Sequence, residues 1–209
     1  VRNFVRLHGT NFKNLGKYNS IQLNDTHPVL SIAELIRIMT AEYGIGFKAA
    51  LRAVRNTFAY TNHTILPEAL ECWDIGMIER ILPDIANIIL KIDAVASVEH
   101  KKAGYSAAEI KETTLIKGNK VHMANLAVYA SKSVNGVAKL HTEIIERDLF
   151  PTEYKFHPEK FSNKTNGVTQ RRWMMLCNKE LCSLIDRTIG RDWRKDFTGI
   201  FALKESVGD

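Results

Sequence analysis

The chain has 209 residues, 45% of them hydrophobic and 25% charged, with a formal net charge of +6. This is ordinary globular composition, enough for one domain or parts of two. No apolar run approaches membrane-spanning length, so a transmembrane reading is set aside. The three cysteines, Cys72, Cys177 and Cys182, are odd in number and sparse. That speaks against a disulfide scaffold and a metal cluster, and it leads us to expect a reducing, cytoplasmic setting. Basic residues are dispersed, and the short runs Lys101-Lys102 and Arg171-Arg172 lack interleaved aromatics. A solvated face is expected there rather than a nucleic-acid surface. The chain begins at Val1 without the n-region and apolar core of a signal peptide, and both ends read as cut from a longer protein.

In chain order, residues 1–17 carry Gly9, Asn11, Asn14 and Gly16 with little periodicity, and a loop is expected. Ser20-Ile21-Gln22-Leu23 reads as a strand, Asn24-Asp25-Thr26-His27 as a loop, and Pro28 as the start of a helix. Ile32, Leu35, Ile36, Met39 and Tyr43 share one helical face, ended by Gly44. Phe47, Ala50, Leu51, Val54 and Phe58 repeat the pattern before a β-prone run, Thr57 to Thr61. Strand, helices, strand is a parallel crossover. After the loop at His63, Pro67 with Glu68 and Glu71 behind it predicts another helix start. A short helix to Leu82, closed by Pro83, is followed by an amphipathic helix through Ile85, Ile88, Ile89, Ile92 and Ala96. Residues 99–108 form a connector, and residues 112–116 and 120–122 make two short strands around Gly118-Asn119. Residues 123–133 are a buried helix or strand. Val134-Asn135-Gly136-Val137 is either a plain turn or a close backbone approach, and residues 138–147 are a helix carrying His141. Residues 148–162, with Pro151, Pro158 and three phenylalanines, read as an aromatic-pinned linker. Helices are expected over 170–177 and 180–189, with Gly190 as a cap and Trp193 as packing.

Two strand-to-helix loops thus each hold a histidine and an acid nearby. In open α/β sheets, ligands bind where strands run out into such loops. The crossover should bring both loops to one sheet edge, where Asp25, His27, His63 and Glu71 can meet. The same residues also fit helix capping and dipole complementation. As a set, with Asn166, they are suitable types for a polar sugar cradle, in which carboxylates stabilise a positive anomeric centre and fixed donors orient hydroxyls. Spacing alone does not say which is acid, base or binder.

Asn24-Asp25-Thr26-His27-Pro28, with Glu34-Leu35 behind it, resembles a motif of the α-glucan phosphorylases. So does Tyr60-Thr61-Asn62-His63-Thr64 followed by Pro67-Glu68-Ala69-Leu70-Glu71. Two further blocks, residues 134–141 and the run Asn163-Lys164-Thr165-Asn166-Gly167-Val168-Thr169 with Arg171-Arg172-Trp173, are similar to theirs. Together the blocks span nearly the whole chain from Ser20 on. The resemblance implies an α/β fold of the two-domain glycosyltransferase B type, with residues 1–165 ending the N-terminal domain and 166–209 beginning the C-terminal one. It implies transfer of a terminal α-1,4-linked glucose to inorganic phosphate with retention, the acid–base group being the phosphate of pyridoxal phosphate. Residue by residue, it implies that His63 is the catalytic histidine beside the glucosyl 6-hydroxyl and that Asn166 is another 6-hydroxyl contact. Asp25 and His27 line the anomeric side, Glu71 stands at the far edge, and Trp173 touches the cofactor. A homodimeric parent acting on glucan and phosphate, with no nucleic acid, membrane or metal involved, is implied too.

The chain departs from the pattern at Cys72, where arginine is frequent, and at Gln170, where proline is usual. It has no match to the family's glycine-rich segment with the Schiff-base lysine, nor to its basic phosphate cluster. Alone it is expected to be inactive. A carbohydrate-binding relative without the cofactor, a basic binding module and a two-carboxylate hydrolase are the competing readings.

Overall fold

In the computed structural model, which describes residues 1–208, the chain opens with helices at Arg2–His8 (α1) and Leu15–Tyr18 (α2). The loop expected over residues 1–17 is therefore corrected. Phe4, Phe12 and Leu15 are buried, and Phe4 stacks on Phe12 at 5.6 Å. Three anchors spaced across two short helices leave no continuous periodicity to read.

Ile21–Asn24 (β1) leads through a turn at Thr26–Val29 into Leu30–Arg37 (α3), which a π-helical turn extends to Glu42. Gly44, at φ +66°, ends it. Phe47–Arg55 (α4) then packs Ala50, Leu51 and Val54 inward and delivers the chain to Phe58–Thr61 (β2). β1 and β2 pair in parallel, Ile21 opposite Phe58 and Asn24 opposite Thr61. This is the crossover that the sequence implies.

The helix expected at Pro67 is a single 3₁₀ turn, Pro67–Ala69. Leu70 leaves it in extended geometry, and Cys72–Asp74 (β3) joins a second sheet instead. The proline starts the turn, but cross-strand pairing downstream wins the next residues. Asp74 caps Ile75–Ile81 (α5) by accepting from the Met77 amide at 2.7 Å. Pro83–Lys102 (α6) buries Ile85, Ile88, Ile89 and Ile92. It runs into the expected connector, which shrinks to a short turn at Gly104 before Ala107–Thr113 (α7), a helix with a Ser106–Glu109 capping box. Ile116–Lys117 (β4) and Lys120–His122 (β5) pair as a hairpin, with Gly118 and Asn119 both at positive φ, and β3 adds to β5; the strand expected from residue 112 is corrected, since α7 runs to Thr113 and β4 starts only at Ile116.

Met123–Ala130 (α8) is buried almost throughout. Val134–Gly136 (β6) is a strand, not a turn, and the helix after it is Lys139–Ile144 (α9). The linker expected at 148–162 is also corrected: it holds Pro151–Phe156 (α10), a 3₁₀ turn and Phe161–Asn163 (β7). Both prolines sit at helix starts, where the missing N–H costs nothing, so they begin structure rather than interrupt it. The principal sheet has the order β1-β2-β6-β7, all parallel.

The chain divides into two compact units, Val1–Thr165 and the residues from Asn166 onward. The second unit contains Gln170–Cys177 (α11) and Lys179–Ile189 (α12), with Gly190 at φ +81° after the latter. Gln170 opens α11 although proline is absent there. Its small core is Cys182, Ile185 and Trp193, the indole N–H of Trp193 donating to Asp186 at 3.1 Å.

Candidate functional site

Because the four strands are parallel, their C-terminal ends share one edge of the principal sheet. Three of them end in, or are followed at once by, an asparagine (Asn24, Asn62 and Asn163), and β6 carries Asn135 one residue before its end. Short amides at strand ends can satisfy loop backbone and still face a ligand.

Asp25 follows β1 at φ +64°, the left-handed region that a non-glycine residue seldom occupies. Its carboxylate accepts from the Thr26 amide at 2.7 Å and from the Thr64 hydroxyl at 3.2 Å. It does not cap α3, which starts behind Val29 without a side-chain cap. His63 is exposed, and its Nε2 lies 2.6 Å from the Asn24 side-chain oxygen. That oxygen is an acceptor, so Nε2 carries the proton and Nδ1 is left as an acceptor. Glu71, beyond the 3₁₀ turn, bonds back across the rim. One oxygen accepts from the Thr26 hydroxyl and the other from the Trp73 indole, each at 2.9 Å. A role for Glu71 as a mere dipole complement is thereby removed. Below this layer the Thr61 hydroxyl donates to the Asn135 side chain at 2.8 Å, and Gln22 donates to Thr61 at 2.7 Å.

Asp25, His63 and Glu71 thus belong to one rim, cross-linked by Asn24, Thr26 and Thr64. His27 is exposed on the same loop and makes no side-chain hydrogen bond among the described residues. Asn166 and Trp173 lie in the second unit. Asn166 is exposed, and so is Trp173, with 56% of its surface open, so it is not a core residue of that unit.

Sequence reasoning placed His141 on a helix and gave it no part in the site. Its Nδ1 accepts from the Val137 amide at 3.0 Å, which puts the proton on Nε2, and that buried Nε2 has no partner. Burial holds the ring below the usual histidine range, His63 adds to the effect, and Asp25 opposes it. The charges of the rim therefore reach His141. Burial likewise pushes the Tyr60 hydroxyl well above its ordinary value, with Asp25 contributing. The Tyr60 oxygen accepts from Asn62 at 3.0 Å, while the Asn62 side-chain oxygen is buried without a partner. The available signal was the sequence block 134–141, in which a glycine precedes the histidine by five positions.

The sequence model of the family described as carbohydrate phosphorylase matches residues 1–209. The chain belongs to that family. It is 41% identical over 198 residues to the liver form of glycogen phosphorylase from Bos taurus, an alignment covering 91% of this chain and 23% of the relative. It is 40% identical over 188 residues to maltodextrin phosphorylase from Streptococcus pneumoniae, covering 90% and 24% respectively. Against the brain form of glycogen phosphorylase from Homo sapiens it is 40% identical over 195 residues, covering 91% and 23%. This phosphorylase chain therefore spans about a quarter of the length of such relatives. Among its described residues, no helix is long and apolar enough to cross a membrane, and no group of histidine, cysteine and carboxylate side chains forms a candidate metal cluster.

Proposed function

We propose that this chain is part of an α-1,4-glucan phosphorylase and carries one wall of its glucose site. The parent protein moves a terminal glucosyl unit of glycogen or maltodextrin to inorganic phosphate and gives glucose 1-phosphate with retention. The observation that carries this reading is the rim itself: the parallel pairing of β1 and β2 sets Asp25 and His63 on neighbouring loops, tied through Asn24 and Thr64. Asp25 supplies negative charge toward a developing oxocarbenium centre. The free Nδ1 of His63 accepts from a sugar hydroxyl, the 6-hydroxyl in this reading, while Asn24 holds the ring's orientation. His27 adds a polar group on the anomeric side, and Glu71 braces the rim through Thr26. Asn166 is a second 6-hydroxyl contact.

The division at residue 165 supports assigning residues 1–165 to the end of an N-terminal domain and the remainder to the beginning of a C-terminal one, in a two-domain glycosyltransferase B arrangement. Pyridoxal phosphate, when bound, supplies a phosphate that exchanges a proton with the substrate phosphate. The exposed indole of Trp173 fits one apolar wall for that flat ring. The glycine-rich lysine segment has no counterpart in this sequence, so the chain alone is expected to be inactive. The parent is proposed to be a cytoplasmic homodimer.

The test is phosphorolysis of maltodextrin by the full-length parent. His63→Ala is expected to lower the rate on the order of a hundredfold or more, since it removes a group aimed at the transition state. Near-normal turnover of the variant, or release of free glucose without phosphate, would overturn the assignment.

A further inference from the structure

The opposite edge of the principal sheet carries a second polar feature, which the glucose reading does not use. A cleft of about 880 Å³ opens where β2, β6 and β7 begin, between α4 and the last turns of α6. Strands of three or four residues separate it from the rim at His63, which places the two about 10–13 Å apart along the strand direction.

Six cations line it: Lys48, Arg52, Arg55, Lys102, Lys132 and Lys160. Two carboxylates, Glu99 and Glu159, oppose them. Glu99 pairs with Arg55 at 2.8 Å and accepts from the Tyr129 hydroxyl at 2.9 Å, while Glu159 faces His157 at 3.6 Å. Lys48, Arg52, Lys102 and Lys132 form no ion pair among the described residues. These cations come from separate stretches of the sequence, and the fold gathers them along one cleft. Lys160 sends its ammonium to the Val128 carbonyl at 2.6 Å, and burial pushes it down to about 8. Arg55 adds to that effect, while Glu153 and Glu159 offset only part of it.

A second, independent observation is Ser131. It is 2% exposed, it lines the cleft, and its hydroxyl has no hydrogen-bond partner. Buried hydroxyls are normally satisfied, so one left open in a cationic cleft is suited to an oxyanion. Ser131 and Lys132 stand just before β6 and Lys160 just before β7, and these strands are paired from Val134 and Phe161 onward. Leu51, Val95 and Val98 supply an apolar wall. A volume of this order exceeds what inorganic phosphate fills and suits a small organic ligand.

We propose that this cleft binds a small phosphate monoester, its phosphate meeting Ser131, Lys132 and Lys160 at the strand starts, with Arg52 across from them and its carbon body on Leu51, Val95 and Val98. The site is separate from the glucose rim and reaches the sheet from the other end.

The test is calorimetric titration of the full chain with phenyl phosphate and, separately, with inorganic phosphate. Phenyl phosphate is expected to bind saturably at one site per chain and more tightly than inorganic phosphate. Arg52→Gln combined with Lys132→Gln, two exposed positions, is expected to weaken phenyl phosphate about tenfold or more. Val98→Ser should weaken phenyl phosphate and leave inorganic phosphate unchanged. His63→Ala should leave both unchanged, which keeps this result distinct from failure of the glucose reading. Absence of saturable binding, equal affinity in the double variant with an unchanged melting temperature, or loss of binding in His63→Ala would each overturn the proposal.

Discussion

At Gly136 a single hydrogen decides whether β6 and α9 can lie together. A Cβ built there would stand 2.3 Å from the Thr142 hydroxyl oxygen, 2.9 Å from the Thr142 Cα and 2.9 Å from His141 Nδ1. Two of those neighbours are not flexible tips, so the strand or the helix must shift. Gly136→Ala is expected to cost about 1–3 kcal/mol, read as a lower melting temperature. The same shift breaks the Val137 to His141 hydrogen bond and so disturbs the rim. A variant with unchanged melting temperature would show that α9 moves freely. Asp25 and Asn119 are the non-glycine residues at positive φ among the described residues, and the Asp25 carboxylate is hydrogen-bonded to His63's loop through Thr64. Strain of this kind persists where surroundings over-determine it, and here those surroundings are the Thr26 and Thr64 donors.

Among the elements, α6, α7 and α10 meet around one buried histidine. His100 of α6 lies 3.1 Å from the Thr113 hydroxyl of α7 and 3.4 Å from the Glu153 carboxylate of α10, and it stacks on Tyr105 at 4.5 Å. Burial holds His100 below the usual histidine range and outweighs the upward pull of Glu153. The folded chain therefore keeps the ring neutral where an unfolded chain, titrating near 6.5, takes up a proton. The unfolded state binds more protons as pH falls below about 6.5, so this element junction loses stability on acidification. Melting temperature should fall between about pH 7.5 and pH 5.5, and the fall should be smaller in His100→Gln. Equal slopes for the two proteins would remove His100 as the cause. The antiparallel sheet shows how an element prediction fails. Pro67 carries a correct start signal, yet only one turn forms, because Cys72–Asp74 pairs with a strand 46 to 50 residues further along. Local chemistry cannot register a partner that distant.

For the whole molecule, the two units differ in how much core they own. Val1–Thr165 contains a continuous buried cluster running from Phe4 to Phe161. The second unit buries Cys182, Ile185 and Trp193 and leaves Leu176, Leu184 and Phe201 exposed. A segment of about forty residues without disulfide or metal seldom holds a fold by its own core. Residues 166–209 prepared alone are expected to melt without a cooperative transition, whereas residues 1–165 should unfold cooperatively in circular dichroism. A sharp transition in the short segment would contradict this.

Read by itself, the chain of amino acids determined the α/β alternation, the parallel crossover, the turn at Gly118-Asn119, the long α6 helix and the family, because each is written in short-range periodicity, turn chemistry or contiguous motifs. Residues 1–17 and 148–162 were misread because their structure comes from scattered aromatic anchors that gain meaning only when packed. Only the tertiary arrangement decided that Gly136 lies in a strand pressed against α9, that Glu71 serves Thr26 rather than a helix, and that His141 belongs with Asp25 and His63. It also decided that six lysines and arginines from separate stretches line one cleft. The physical reason is the same throughout: strand pairing and close packing join residues far apart in sequence, and no local preference encodes such contacts.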